Sequence, residues 1–156
     1  MWQRIQTVYL TFVILALLAM LFLPLWIKEV TASSFTITAL YANISDNGMD
    51  LIEYFPYTFI SIAIVLAILI TILEILQYKN RLNQMKLGAL NSLMMSVVLG
   101  LSLYFIYSTN NSWYPEVAGS YQIGAFMPAF ALVFNMLANR NIRKDEKLVR
   151  SVDRIR

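Results

Sequence analysis

Four stretches of this chain are long and apolar enough to cross a bilayer, at about residues 5–27, 55–77, 87–108 and 121–138. A hydrocarbon core about 30 Å thick is spanned by about 20 apolar residues in a helix. No water is available there for unpaired N–H and C=O groups, so each run reads as a helix that satisfies its own backbone. Composition agrees. Hydrophobic residues make up 59% of the chain and charged residues 13%, against about 25% charged in an ordinary soluble domain. The expected fold class is an all-α membrane protein, a bundle of four transmembrane helices. The first run has only Arg4 before it, is longer than the apolar part of a secretory signal and lacks a close small-x-small site, so it reads as a retained helix. Pro56 suits the first turn of the second helix, Pro24 falls near the end of the first, and Pro128 inside the fourth predicts a kink.

The charges are divided unevenly. Arg4, the "YKNRLNQMK" linker and the C-terminal segment hold eleven of the twelve basic residues, leaving only Lys28 for the loops on the other side. By the positive-inside rule both termini are cytoplasmic. Trp26, Tyr54, Tyr57, Trp113 and Tyr114 then read as aromatic anchors at the outer interface, with Trp2 and Tyr78 at the inner one. The first outer loop contains "SSFTITALY", then "DNG", then "MDLIEY". That pattern predicts a short β-hairpin turning near Asn47–Gly48.

Within the third run Gly88, Ser92, Ser96 and Gly100 recur every four residues. Small residues at this spacing make a groove in which another helix approaches closely, from within the bundle or from a partner. Glu74, near the inner end of the second helix, and Asn91 and Asn135, in the inner halves of the third and fourth, are the intramembrane polar residues. The amides fit hydrogen bonds between helices. Glu74 fits an interfacial ion pair or, in a transporter, an ion pathway.

Much chemistry is excluded. With no Cys and no His, the chain has no thiol redox chemistry and lacks the commonest general base and metal ligand. Ser92 and Ser96 have no base at a helical spacing, and no Gly-rich phosphate loop is present. The sequence predicts neither an enzyme nor a cofactor.

The chain closes with "NRNIRKDEKLVRSVDRIR", eighteen residues of which ten are charged. No Gly or Pro interrupts residues 129–156, so the fourth helix is expected to run on as a basic amphipathic cytoplasmic tail, with residues 1–138 as the membrane domain and 139–156 as the tail. At 100° per residue, Arg143, Lys147, Arg150 and Arg154 share a stripe about 60° wide, and Leu148, Val152 and Ile155 lie roughly opposite. A cationic stripe suits an anion, and lipid phosphate, an acidic protein face and RNA all qualify, RNA with no further support.

The segments "QRIQTVYL", "YKNRLNQMKL" and "LANRNIRKDEKLVRSVDRIR" resemble domain-of-unknown-function family 4293 over essentially the whole chain. The resemblance implies a small four-span bacterial inner-membrane protein and no activity. The expected function is a non-catalytic accessory or scaffold subunit of a larger inner-membrane assembly, of protein-export or membrane-biogenesis type. Membrane lipid, other membrane proteins and a cytoplasmic component would be its partners. A small transporter using Glu74 and a scaffold on anionic lipid are the alternatives.

Overall fold

The computed structural model describes residues 2–30, 33–46, 49–78, 80–112 and 116–153. Four helices, α1 (Trp2–Phe22), α2 (Thr58–Leu76), α3 (Arg81–Ser112) and α4 (Ile123–Asp153), are each long and apolar enough to cross a membrane. The expected all-α class is wrong. Between and beside the helices lie five strands, β1 (Trp26–Val30), β2 (Ser33–Ile37), β3 (Ala42–Asp46), β4 (Met49–Glu53) and β5 (Ser120–Tyr121). They form one antiparallel sheet in the order β4-β3-β2-β1-β5.

The sheet begins inside what the apolar run marks as the first helix. That helix stops at Phe22 because Pro24 lacks an N–H and its ring disfavours the helical conformation at Leu23. "WIKEV" then alternates, with Trp26 and Lys28 on the buried face. Trp26 pairs with Ile37 on one side and Tyr121 on the other. It is therefore a buried residue under the sheet, not an interfacial anchor. Tyr57 is likewise buried, whereas Tyr54 and Tyr78 are exposed. Trp113 and Tyr114 lie outside the described residues, as does the side chain of Trp2.

The hairpin expected near Asn47–Gly48 joins β3 to β4, since Asp46 pairs with Met49; the turn itself lies outside the described residues. "SSFTITALY" is not one of its arms. It forms β2 and a turn in which the Thr38 and Tyr41 backbones bond at 2.9 Å and the Thr38 hydroxyl donates to the Tyr41 carbonyl at 2.7 Å. β2 then pairs on both sides, Phe35 opposite Lys28 and Ile44.

Each helix buries one ridge at the spacing of three and four residues that brings side chains to one face. On α1 this is Gln6, Leu10, Val13, Leu17 and Met20; on α4 it is Ala131, Asn135, Ala138, Ile142 and Asp145. The opposite faces of α1 and α2, and that of α4 as far as Met136, are exposed yet apolar, which is compatible with lipid. The helices meet in the ring α1–α4–α3–α2, with α1 and α2 touching least. The α1 and α4 chains run antiparallel, with Phe12 and Phe134 stacked at 5.3 Å. The buried face of the sheet closes one end, where Trp26, Phe35, Ile37 and Ile44 join one core with Leu17, Met20, Ile60, Ile64 and Ile106. Open strand edges are not tolerated in hydrocarbon, so in a membrane the sheet would have to lie beyond the hydrocarbon core. Pro56 precedes α2 in a turn rather than inside its first turn, and Pro128 lies within α4, which continues on both sides of it.

Candidate functional site

Polar groups gather at the end opposite the sheet. The N-terminus of α1, the α2–α3 turn and the last turns of α4 meet there. Gln6 Nε2 donates to Asp145 Oδ2 at 2.6 Å, and Arg81 approaches the same oxygen at 3.9 Å. Gln6, Gln84 and Asp145 are all buried. α4 is therefore held against its neighbours well past residue 138, and the boundary between membrane domain and tail falls inside one continuous helix.

Deeper in, polar links tie the helices together. Asn91 Nδ2 donates to Thr71 Oγ1 at 2.8 Å, and the Thr71 hydroxyl donates to the Ala67 carbonyl at 2.8 Å. Asn135 Nδ2 donates to the Gly88 carbonyl at 2.9 Å and to Ser92 Oγ at 2.8 Å. Glu74 is completely buried. Neither of its oxygens has a hydrogen-bond partner among the described residues, and the same holds for Oδ1 of Asn91, Asn135 and Asn139. Glu74 is thus enclosed between helices, and Arg81 lies with Asp145 instead; Lys79 lies outside the described residues. Toward the sheet the core is lined mainly by Ile60, Ile64, Met95 and Val98, and the buried hydroxyls of Ser61 and Ser102 there donate to carbonyls of their own helices.

The four small residues of α3 divide into two pairs. A Cβ on Gly88 would meet the side-chain amide of Asn139, so Gly88 leaves room for that amide where α4 packs on α3. Ser92 supports the same contact. Ser96 is exposed, and a Cβ on Gly100 would meet nothing within 4 Å. The upper half of the stripe faces outward.

The basic residues of α4 lie on the side away from its buried ridge. Arg140, Arg143, Lys144 and Lys147 line a groove of about 580 Å³ between α3 and α4. Leu148, from the tail's expected apolar stripe, is 60% exposed, and the face that packs is instead Ala138, Ile142 and Asp145. Arg150 and Val152 belong to α4, but their side chains lie outside the described residues. Arg154 and Ile155 lie outside them altogether. A second groove, of about 540 Å³, opens between α1 and α2 over Thr7, Thr11, Phe12, Ile75 and Tyr78.

Sequence reading passed over Gln6, Asp145, Arg140 and Lys144 as site residues. The signal for Asp145 was its spacing, because 138, 142 and 145 continue the ridge of Ala131 and Asn135. Gln6 similarly begins the ridge of Leu10 and Val13. At the sheet end the lone cation Lys28 is only 2% exposed. Its Nζ donates to Asn110 Oδ1 at 3.0 Å, near the last carbonyls of α3, where a helix dipole favours positive charge. Among the described residues no group of three or more acidic side chains could hold a metal ion.

Compared with curated proteins, the chain has no match. A family model does match, over residues 2–155, essentially the whole chain. The chain therefore belongs to the family described as domain of unknown function DUF4293.

Proposed function

We propose that this protein is a non-catalytic accessory or scaffold subunit of a larger bacterial inner-membrane assembly, with both termini cytoplasmic and the basic end of α4 turned toward a cytoplasmic component. The observation that carries the reading is the separation of charge. Lys28, the lone basic residue on the sheet side, is withdrawn into the fold, while Arg140, Arg143, Lys144 and Lys147 stand together on a helix anchored by Asp145. Positive charge resists translocation, so this end stays in the cytoplasm. A helix fixed along one face presents its other face to a partner at little further cost in order.

The test is a mild-detergent pull-down from native membranes, with the intact chain compared with one carrying Arg143→Glu, Lys147→Glu, Arg150→Glu and Arg154→Glu. Partners recovered by the first and lost by the second support the role; the same proteins on both baits, or none on either, sink it. An impermeant label on the C-terminus checks the orientation, and reaction in intact cells would reverse it.

A small transporter using Glu74 draws support from that buried carboxyl without a partner. The predominance of apolar side chains between Glu74 and the sheet, with the Ser61 and Ser102 hydroxyls engaged by their own helices, weighs against it. Proteoliposome flux abolished by Glu74→Gln would revive it.

A further inference from the structure

The groove between α3 and α4 combines two chemistries. Its rim is cationic: Arg140, Arg143, Lys144 and Lys147 line it, at spacings of three and four residues that place them within an arc of about 100°. Among the described residues none of the four is in an ion pair. Asp145 points to the other side of α4, held by Gln6 and Arg81, and Glu146, half-buried at the edge of the arc, does not line the groove. Four positive charges thus converge on one concave site with no lining carboxylate.

The floor is polar and then apolar. The hydroxyl of Ser92 is engaged with the Gly88 carbonyl and Asn135. Asn139 also lines the groove, and its Oδ1 is buried without a partner. Ala89 and Met136 complete the lining, Met136 one turn of α4 before Arg140. Met136 is 60% exposed, and Leu93 and Val133, one turn deeper, are exposed too. The groove therefore opens onto the hydrocarbon-facing surface of α3 and α4.

We propose that this groove is a binding site for an anionic phospholipid. The phosphate sits among Arg140, Arg143, Lys144 and Lys147, and the chains run down past Ala89 and Met136. Phosphate, like carboxylate, matches the fork of a guanidinium group, and Lys binds it as a point charge. A free phosphate ion or an RNA backbone presents the same oxygens but uses only the rim. A lipid uses the whole groove, because its headgroup and chains change from charged to apolar over the same distance as the lining does. The site depends on the helices lying in a membrane and not on the accessory role.

The test uses the full-length protein in micelles doped with phosphatidylglycerol, or with phosphatidylcholine as the neutral arm, and counts bound lipid by native mass spectrometry. Phosphatidylglycerol should be retained in preference. Its apparent affinity should fall at least about tenfold in Arg140→Gln/Lys144→Gln, and by a similar factor in Ala89→Trp, which fills the groove without changing charge. Lys86→Gln, which removes an exposed cation of α3 outside the groove, should change it less than about twofold. Equal losses in Lys86→Gln and the groove variants would mean diffuse attraction and overturn the site. Displacement of the lipid by millimolar inorganic phosphate or by a short single-stranded RNA would show that the rim alone suffices, and would overturn the lipid assignment. If Ala89→Trp does not fold, the charge variant and the competitors decide. Micelles expose both ends, so a failure here leaves the cytoplasmic orientation and the pull-down untouched.

Discussion

The two ends of this molecule are finished in different ways. At one end a sheet closes over the helices and extends their core, with Trp26, Phe35, Ile37 and Ile44 meeting Leu17, Met20 and Ile60. At the other end the helices hold one another through directed polar links, Gln6 to Asp145, Asn91 to Thr71 and Asn135 to Gly88. The difference follows from the surroundings. Next to water, burying apolar area drives packing. Between helices in lipid that drive is missing, and close approach and hydrogen bonds must supply the specificity. The sheet end should therefore respond to lost volume, and the basic end to lost register.

The largest expected effect tests register. Gly88→Leu should destabilise the protein by up to about 3 kcal/mol, the upper end for overpacking, since the larger side chain must displace the Asn139 amide and press on α4 beyond it. Gly100→Ala, on the same stripe but facing open space, should change stability by less than about 0.5 kcal/mol. Thermal unfolding in detergent, followed by tryptophan fluorescence, measures both; equal effects would show that α3 and α4 do not meet at Gly88.

Next comes the polar latch. Asp145→Ala should cost about 2 kcal/mol, as for a hydrogen bond to a charged group that leaves a buried partner unmet. In a double-mutant cycle with Gln6→Ala the two changes should couple by about 1 kcal/mol or more. Additive losses would mean that the latch does not form.

The corresponding hydrogen bond near the sheet is smaller. The Tyr57 hydroxyl lies 2.9 Å from Thr109 Oγ1, and Tyr57→Phe keeps the ring against Phe105. A loss of about 1 kcal/mol is expected. A loss as large as that of Asp145→Ala would erase the contrast between the ends.

The smallest effect belongs to β4, exposed along its whole length. Leu51→Thr should lie within about 0.5 kcal/mol of the parent. Ile44→Ala, on the buried face of β3, should cost about 2 kcal/mol or more. If Leu51→Thr were as damaging, the outer edge of the sheet would be covered by something in the folded protein.

How much of this was legible in the sequence depended on how local the cause was. The existence of the four helices and the continuation of α4 past residue 138 to Asp153 followed from apolar composition and from the lack of Pro and Gly after Pro128, whereas α2 starts at Thr58, beyond Pro56 and not around it. The sheet did not follow in this way. Trp26 and Ile27 belong by composition to the first apolar run, and their place in a strand depends on pairing with Ile37 and with Tyr121 and Ser120. The small-residue stripe was visible as a period, but which half is used depended on where Asn135 and Asn139 arrive. In the tail, counting basic residues drew attention to Arg143 and Lys147 and away from Asp145, the acid whose spacing continues the ridge of α4.

By itself the sequence determined four membrane-length helices, the unequal division of charge between their ends and a fourth helix that runs on without a break. Each of these is a sum over neighbouring residues, and hydrocarbon solvent makes such sums decisive because it leaves the backbone no alternative to a helix. Only the tertiary structure decided that a five-stranded sheet closes one end, that Lys28 is withdrawn beneath it, that Gly88 rather than Gly100 receives a neighbour, and that Asp145 latches α4 while its cations form a groove. These features come from contacts between segments far apart in the chain, between β1 and β5 and between Gln6 and Asp145, whose energies exist only once both partners are in place.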